Sequence, residues 1–439
     1  MKLWQKNQEG TSSETARIIE QFTVGRDREF DILLAKHDVI GSVAHAQMLH
    51  HIGLLSADEW QQIDRELKQI EQEIANGKFS IEPGVEDVHS QIELMLTRRI
   101  GEAGKKIHSG RSRNDQVLLD IKLFLRSEML VIAKQVNELF NLLLKLADEH
   151  KQKLLPGYTH FQLAMPSSFG LWFSAYAESL SDDLEWLLAA YRICNKNPLG
   201  SGAGYGSSFP LDRELTTRLL GFEALNYNVV YAQMTRGKTE KSLAQALAAI
   251  AASLAKLAAD VCLYMNQQFG FISFPDELTT GSSIMPHKKN PDVFELIRAK
   301  CNRIQALPNE FTILLANLPS GYHRDLQLTK EMLFPALGDM QACIQMTGFM
   351  LEHIQVEANI LDDERYVQLF SVERVNELVL NGVPFRDAYK IVAEEVQSRK
   401  LQKPPVLHHT HAGSIGNLCL ENIQERMTLL FSQFPVDQP

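Results

Sequence analysis

Three long stretches of this chain contain neither glycine nor proline, and they restrict its possible folds more than any other feature. The stretches run from Arg111 to Leu155, from Leu171 to Asn197 and from Lys238 to Phe269. Because few segments alternate between apolar and polar residues as strands do, the sequence predicts an all-α fold. In the first stretch, apolar residues recur every three or four positions, which is the period of a buried helical face; they are Leu118, Ile121, Leu125, Met129, Ile132, Val136, Leu139, Leu143 and Leu146.

The length of the first stretch predicts that its helix packs against other long helices. At about 1.5 Å per residue, a helix of roughly 35 residues spans about 50 Å, which exceeds one small domain. The third stretch is rich in alanine, and small side chains allow helices to pack closely at the centre of a bundle, although the helix propensity of alanine alone would explain the composition too. We therefore expect a central bundle of long helices that is shared with other subunits.

Two transitions divide the chain into three predicted domains. A Gly- and Lys-containing stretch from Gly101 to Gly110 precedes the first long helix, and the stretch 362–370 precedes a shorter carboxy-terminal part. We expect a helical amino-terminal domain over 1–108, a central helical-bundle domain over 109–361 and a short helical carboxy-terminal domain over 362–439.

Charge and cysteine content exclude several classes of protein. The net charge is −10, so the chain lacks the basic surface of a general nucleic-acid-binding protein. Its five cysteines show no metal or redox spacing, which indicates a reducing compartment. The segment 1–10 is polar, and Lys256 and Asp260 interrupt the alanine-rich stretch, so neither a signal peptide nor a membrane span is expected. These features favour a cytoplasmic protein.

The strongest functional signal is the loop from Gly281 to Asp292. It contains two serines that can act as nucleophile or base, and two lysines and an asparagine that can hold carboxylates. Its two prolines limit the conformations of the loop. This composition suits an anionic substrate better than it suits a solvated turn, which is the alternative explanation.

A second segment, from Gly104 to Asp115, ends where the first long helix begins. The free backbone N–H groups of a helix amino terminus favour an anion. Ser112, Arg113 and Asn114 add side-chain donors at this point. A serine or asparagine there is also the ordinary cap of a helix, but capping needs only one such residue.

Further segments give weaker signals. The turn from Pro156 to Gln162 contains His160, a possible acid or base near neutral pH, although a lone loop histidine is usually structural. The segment from Tyr322 to Glu331 can bind a carboxylate or an amino-acid head group, although its composition also suits a charged helix start. The segment Asp87–Ser90 is expected to begin a helix. The glycines within 200–206 lack the context of a dinucleotide site, and no histidine cluster has metal-ligand spacing, so no cofactor or metal ion is expected.

Together these segments resemble the fumarase/aspartase superfamily, and within it the argininosuccinate lyase family. The loop Gly281–Asn290 resembles the shared motif of the superfamily, whereas the run Gly104–Gln116, the turn Pro156–Gln162 and the segment Gly382–Ala388 resemble argininosuccinate lyases in particular. The resemblance extends from about Trp4 to about Val396. It implies an all-α subunit of three domains, a homotetramer, and active sites that each combine segments from three subunits.

The resemblance also implies a reaction, the reversible cleavage of argininosuccinate to arginine and fumarate without a cofactor. Ser282 matches the base, with Lys288 as a stabilising cation. His160 matches a histidine that either donates a proton or orients the substrate, and Glu295 matches its carboxylate partner. The remaining matches are substrate-binding positions, namely His89, Ser112, Arg113, Asn114, Thr159, Asn290, Tyr322, Gln327 and Lys330.

Several positions depart from the family pattern. His287 stands where many members have glutamine, Leu163 and Met165 replace polar residues, and Gly237 replaces an aspartate. Near the amino terminus, a family serine that touches the substrate would fall near Asp27. Two alternatives therefore stay open: the same elimination on a modified arginine precursor or another succinyl-amine, and a structural homologue without activity. The aspartase, fumarase and adenylosuccinate lyase branches match the motifs less well.

Overall fold

The computed structural model describes residues 13–436, and helices dominate this part of the chain. Trp4 and the polar segment 1–10 lie outside the described residues. In chain order the helices are α1 (Ser13–Val24), α2 (Asp27–Asp31), α3 (Ala35–His51), α4 (Ala57–Ala75), α5 (Val88–Ile100), α6 (Glu102–Lys105), α7 (Arg113–Glu149), α8 (Phe169–Cys194), α9 (Arg213–Leu219), α10 (Val229–Met234), α11 (Lys238–Tyr264), α12 (Asp292–Ile304), α13 (Leu307–Leu314), α14 (Thr329–Glu352), α15 (Ser371–Leu380), α16 (Phe385–Gln397) and α17 (Leu420–Phe431).

Strands are short and occur in pairs. Within residues 13–436 they form three two-stranded sheets. The pairs are antiparallel β1 (Leu154–Thr159) with β2 (Gln162–Ser168), parallel β3 (Lys196–Asn197) with β4 (Ala224–Leu225), and antiparallel β5 (Ile272–Ser273) with β6 (Gln355–Val356). Helices thus carry nearly all of the regular structure, and the prediction of an all-α fold is confirmed.

The helix α7 has the length and the buried face that its sequence predicts. It contains 37 residues. Every apolar residue of the predicted face, from Leu118 to Leu146, is buried, and none is more than 6% exposed. Leu123 and Leu144, outside that face, are buried too, so the buried stripe is wider than one helical seam. This helix therefore owes its stability to packing along most of its length.

The alanine-rich helix α11 packs its small residues inside the protein. Ala244, Ala246, Ala251 and Ala258 are all buried. By length and composition alone this helix could cross a membrane, and half of its most apolar window is buried. The core helix of a soluble protein passes the same test, so this finding is weak support for a membrane span.

The described residues form two compact units. Unit 1 contains the residues up to Val131, Trp186–Ala248 and Ile304–Asp339, and one of its apolar clusters includes Leu119, Leu199 and Phe222. Unit 2 contains Ile132–Glu185, Ala249–Arg303 and the residues from Met340 onwards, and its carboxy-terminal cluster comprises Val375, Ala388, Val392 and Leu401. The division into domains 1–108, 109–361 and 362–439 stays a prediction.

In unit 1, the glycine-containing loop 200–206 is fastened to the start of α7. Gly200 and Gly202 have positive φ angles of 81° and 61°, a backbone conformation that a side chain disfavours. Their N–H groups donate to the Asp115 Oδ2 atom over 3.0 and 2.8 Å, and the Ser112 N–H donates to the other carboxylate oxygen over 2.8 Å. The loop thus has a structural function, and it orients the first turn of α7.

Replacing Asp115 by alanine is expected to destabilise the protein. Three backbone N–H groups, two of them buried, would lose their acceptor, so we expect the free energy of unfolding to fall by about 2–4 kcal/mol. Denaturant titration at one protein concentration measures this change. The control is Asp148→Ala at the exposed end of the same helix, where we expect less than about 0.5 kcal/mol. Equal losses of unfolding free energy at positions 115 and 148 would contradict the proposal that Asp115 holds the loop 200–206 against α7.

Candidate active site

Unit 1 contains a cavity of about 260 Å³ at the amino-terminal end of α7. Six of the predicted site residues line it, which are His89, Arg113, Asn114, Tyr322, Gln327 and Lys330. The complete lining is Val24, Asp27, Asp31, Glu86, Asp87, His89, Arg113, Asn114, Val117, Arg236, Tyr322, Arg324, Gln327 and Lys330. Segments far apart in the chain therefore meet in one polar chamber.

Two helix starts position the side chains on one side of the cavity. Asp87 caps α5, because its carboxylate accepts the Ser90 N–H over 2.8 Å, and His89 follows in the first turn. Ser112 occupies the corresponding place before α7, and its Oγ accepts the Asn114 N–H over 3.2 Å. Ser112 thus acts as a cap, while Arg113 and Asn114 face the cavity.

The segment Tyr322–Glu331 forms the opposite side of the cavity. Its composition alone also suited a charged helix start. A short 3-10 helix, Arg324–Leu328, leads directly into α14. The Gln327 Nε2 donates to the carbonyl oxygens of Thr23 and Val24 over 3.0 and 3.2 Å, which ties this turn to the end of α1. Tyr322 precedes the turn and stays partly exposed at the cavity.

Every arginine and lysine that lines the cavity is already paired with a carboxylate of the same chain. Arg113 lies 3.0 Å from Glu86 and 3.4 Å from Asp87, and Arg324 lies 3.3 Å from Glu86. Arg236 lies 3.0 Å from Glu240 one helical turn away. The cavity is therefore lined by alternating charges and is not a simple anion pocket.

Lys330 is clamped between two carboxylates. Its ammonium lies 2.6 Å from Asp27 Oδ1 and 2.5 Å from Asp31 Oδ1, and the lysine is only 3% exposed. Burial lowers the pKa of Lys330, but Asp31 and Asp27 outweigh that effect and raise it above its ordinary value. This lysine stays charged at neutral pH, although its charge is shared by two anions.

His89 is held as a cation by two buried aspartates. Its Nδ1–H donates to Asp38 Oδ1 over 3.0 Å and lies 3.2 Å from Asp120 Oδ2. Burial lowers the pKa of His89, but Asp38 and then Asp120 raise it to about 9. The imidazolium therefore presents fixed positive charge to the cavity. These three side chains are also of the kinds that hold metal ions, so the absence of a metal stays a prediction.

This arrangement predicts a pH-dependent contribution to stability. A pKa that folding raises from 6.5 to about 9 gives stability that is complete below pH 6.5 and is lost as the pH rises through 9. At about 1.4 kcal/mol per pKa unit, the contribution amounts to about 3 kcal/mol. We expect wild type to exceed His89→Gln in free energy of unfolding by that much more at pH 6 than at pH 10. Denaturant titrations across this range measure it.

The matched control for this experiment is the exposed histidine at position 51 in the same unit. His51→Gln should stay within about 0.5 kcal/mol of wild type. A constant difference between wild type and His89→Gln at every pH would show that folding does not raise the pKa of His89.

In unit 2, Thr159 and His160 lie at the tip of the β1–β2 hairpin. Thr159 pairs with Gln162, so His160 and Phe161 form a two-residue turn. Both turn residues have positive φ angles, 53° and 56°, where such hairpins normally have Asn and Gly. A left-handed conformation costs a residue with a side chain about 1–3 kcal/mol and is typical of functional sites. The hairpin thus exposes His160 at a strained tip.

The loop before α12, also in unit 2, holds Ser282, Lys288 and Asn290. A β-bridge between Thr280 and Asn290 closes its base. The Ser282 Oγ accepts the N–H groups of Ile284 and Met285 over 3.3 and 3.2 Å. These donors face the oxygen that the family pattern assigns as the base.

The two adjacent lysines of this loop differ in their surroundings. Lys289 forms an ion pair with Asp276, while no carboxylate of the described residues lies within ion-pair distance of Lys288. Both side chains are exposed. Lys288 is therefore available to an anionic ligand, and Lys289 has a structural partner.

Apart from Ser112 and Glu295, the predicted site residues thus form three groups, one in unit 1 and two in unit 2. Six line the cavity in unit 1, Thr159 and His160 occupy the hairpin tip, and the loop carries three more. Glu295 is exposed on the first turn of α12. Among the described residues, no hydrogen bond or ion pair joins the hairpin tip to the loop.

Sequence reasoning missed part of the cavity lining. Asp31, Glu86 and Arg236 were not assigned to the site, and Asp27 was noted only as a departure. One signal was present for the two aspartates: they lie four positions apart, so on a helix they share a face. Their lysine partner is 299 residues from Asp31 in sequence, and no local pattern indicates such a contact.

Comparison with known proteins gives consistent results. The matching family model is described as lyase and covers residues 7–306. The argininosuccinate lyase of Phocaeicola vulgatus is 57% identical to this chain, over 99% of this chain and 96% of the relative. That of Thermotoga neapolitana is 39% identical, over 91% of this chain and 99% of the relative.

Solved structures agree on the fold. An EDDS lyase variant with bound fumarate superposes with a TM-score of 0.75 at 22% identity, covering 94% of this chain and 90% of that chain. Class II fumarase from Schistosoma mansoni superposes with a TM-score of 0.72 at 17% identity, covering 95% of each chain. At such low identity these matches support the fold alone. The curated relatives and the family model lead further: this all-α chain is a lyase that belongs to the argininosuccinate lyase family of the fumarase/aspartase superfamily.

Proposed function

We propose that the protein cleaves argininosuccinate reversibly into arginine and fumarate, with Ser282 as the base and a doubly charged aci-carboxylate as intermediate. The kind of substrate follows from the argininosuccinate lyases that match nearly the whole chain. For the mechanism, the supporting observation is the Ser282 hydroxyl, whose oxygen has two backbone N–H donors.

The chemistry requires stabilisation of negative charge at two places. The proton to be removed is on a carbon next to a carboxylate, and its loss leaves the dianionic intermediate, so fixed cations must lie where that charge develops. A serine hydroxyl is a weak base unless its alkoxide is stabilised. The N–H groups of Ile284 and Met285 supply donors for the alkoxide, and Lys288 supplies the free cation.

The other predicted residues bind and orient the substrate in this proposal. Lys288 and Asn290 hold the succinyl carboxylates, together with Thr159 and the donors at the start of α7, which are Ser112, Arg113 and Asn114. The cavity with His89, Tyr322, Gln327 and Lys330 holds the arginine half. His160, with Glu295 as its partner, either protonates the departing guanidinium nitrogen or orients the substrate.

We propose further that a homotetramer assembles these parts. The cavity of one protomer, the hairpin tip of a second and the loop of a third would form each active site, within the three predicted domains. Large apolar residues remain exposed on α7, α8, α12, α13 and α14 of a single protomer, which supports burial by neighbouring subunits; they are Val131, Trp186, Leu296, Ile313, Met346 and Phe349. We place the enzyme in the cytoplasm, since its five cysteines form no disulfide within the described residues.

A panel of four succinyl compounds tests the proposal. The purified protein is incubated separately with argininosuccinate, aspartate, malate and adenylosuccinate, and fumarate is followed by its ultraviolet absorbance. We expect fumarate from argininosuccinate only. Fumarate from another compound alone would assign a different leaving group, and fumarate from none would favour a structural homologue without activity. Analytical ultracentrifugation of the same sample checks the tetramer.

A further inference from the structure

We propose that Asp27 binds the α-ammonium group of the arginine half of the substrate and makes the enzyme specific for a free, unacylated amino group. This inference rests on the function proposed above. It names the chemical class of the amine half, which must be an α-amino acid with its ammonium exposed. Asp27 would then be a specificity-determining residue that contacts the substrate.

The charges around Lys330 do not balance. One ammonium lies between two carboxylates, 2.6 Å from Asp27 and 2.5 Å from Asp31. One positive charge can compensate only one of these two anions. Among the described residues, one negative charge at the wall of the cavity therefore has no ion-pair partner of its own.

The contacts of the two aspartates identify which of them carries that charge. Asp31 is 1% exposed, and its second oxygen accepts the Val88 N–H over 3.2 Å, so both of its oxygens are occupied. Asp27 is 15% exposed and lines the cavity, and its ion pair within residues 13–436 is the one with Lys330. Asp27 is thus the anion that a bound ligand can reach.

The electrostatic environment of Asp27 is consistent with an uncompensated anion. Burial and the neighbouring Asp31 raise the pKa of the Asp27 carboxyl, and Lys330 only partly offsets them. A cation placed against this carboxylate would favour its charged form. Arg236 also lowers the pKa of Asp27, but its ion-pair partner is Glu240. The remaining cations are bound elsewhere, Arg113 and Arg324 to Glu86 and His89 to Asp38.

The whole lining fits a zwitterion better than a simple anion. Tyr322, Gln327 and Lys330, which the proposed function assigns to the arginine half, line the same cavity as Asp27 and can bind a carboxylate. An α-amino acid head group presents a carboxylate and an ammonium on one carbon, which matches donors and an anion in one small chamber. An Nα-acyl group would replace the ammonium by a bulkier neutral amide, and Asp27 would keep only its shared ion pair with Lys330.

The reverse reaction tests this with simple compounds. Fumarate is supplied with arginine, with 5-guanidinopentanoate, which lacks the amino group, or with Nα-acetylarginine, and the loss of ultraviolet absorbance gives kcat/KM. A charge-assisted hydrogen bond supports a preference for arginine of about 10- to 100-fold over each analogue. Asp27→Asn and Asp27→Ser should reduce this preference to a few-fold, mainly because kcat/KM for arginine falls.

The matched control is Glu86→Gln, which removes another carboxylate of the same cavity. Glu86 is already neutralised by Arg113 and Arg324, so its loss should lower activity on arginine and on the analogues to a similar extent. A general disturbance of the cavity lowers kcat/KM for all the compounds alike. The ratio of kcat/KM between arginine and an analogue then stays the same. Thermal denaturation shows whether each variant folds.

The outcomes separate this inference from the proposed function. Reaction of wild type with neither argininosuccinate nor fumarate plus arginine would reject the proposed function. If wild type is active but uses Nα-acetylarginine as well as arginine, or if the Asp27 variants keep the full preference, the role of Asp27 is wrong and the function stands. If both Asp27 variants fail to fold, equal use of arginine and Nα-acetylarginine by wild type still rejects the role of Asp27.

Discussion

Replacing Ser282 by alanine is expected to lower kcat on argininosuccinate by about 10²- to 10⁴-fold, the range for loss of a general base. The substitution removes one oxygen from a half-buried position in the loop and leaves every backbone contact of the loop possible. The two N–H groups that now bind the oxygen, those of Ile284 and Met285, can bind water instead. Steady-state kinetics from fumarate absorbance measure the effect, and circular dichroism and ultracentrifugation should match wild type.

The neighbouring serine is the control for the Ser282 variant. Ser283→Ala removes a hydroxyl from an exposed residue of the same loop, and no hydrogen bond of its side chain occurs within the described residues. We expect its kcat to stay within about threefold of wild type, because surface substitutions away from specific contacts have small effects. Near-normal turnover of Ser282→Ala, or equal losses in the two variants, would remove Ser282 from the role of base.

The helical architecture was predictable because burial leaves a local, periodic record in the sequence. On α7, each apolar residue that recurs at three- and four-residue intervals between Leu118 and Leu146 is buried. The absence of glycine and proline then gave the approximate bounds of α7, α8 and α11. Packing of this kind depends on neighbours in the same turn or the next one, so one sequence suffices to reveal it.

The hairpin at Thr159 shows where local reasoning ends. The sequence placed a turn between Pro156 and Gln162, but it gave no indication of a two-residue hairpin with His160 and Phe161 in left-handed conformations. Such turns normally require Asn or Gly, so the turn preferences of His160 and Phe161 do not predict the left-handed conformations that they adopt. The pairing of the flanking strands imposes the conformation, and only the tertiary structure records that.

The cavity was predictable as a set of residue types but not as a balance of charge. Lysine and arginine near the segments at 113 and 330 indicated an anion site. The structure adds the carboxylates that pair with them, and the Lys330–Asp31 contact joins residues 299 positions apart. A sequence without an alignment carries no trace of a pairing at that separation. The contact between Asp27 and Lys330 is therefore visible only in the structure.

Replacing Lys288 by methionine is expected to lower kcat/KM on argininosuccinate by about 10²- to 10³-fold. Methionine keeps most of the length of the side chain and removes its charge, which in our proposal stabilises both the Ser282 alkoxide and the dianionic intermediate. Because that charge matters most when the intermediate forms, kcat should fall more than KM rises. Lys288→Arg should recover part of the activity, since it restores the charge with a different geometry.

The adjacent lysine provides a matched comparison for Lys288. Lys289→Met removes the same charge one residue away, but Lys289 is already bound to Asp276. Exposed ion pairs contribute about 0–1 kcal/mol, so we expect a change of less than about fivefold in kcat/KM. Equal losses at 288 and 289 would mean that the loop acts through its summed charge, as in electrostatic steering, and a steep dependence of both variants on ionic strength would then be seen. A large loss at 288 alone, with little dependence on salt, requires a direct contact between that ammonium and the developing negative charge.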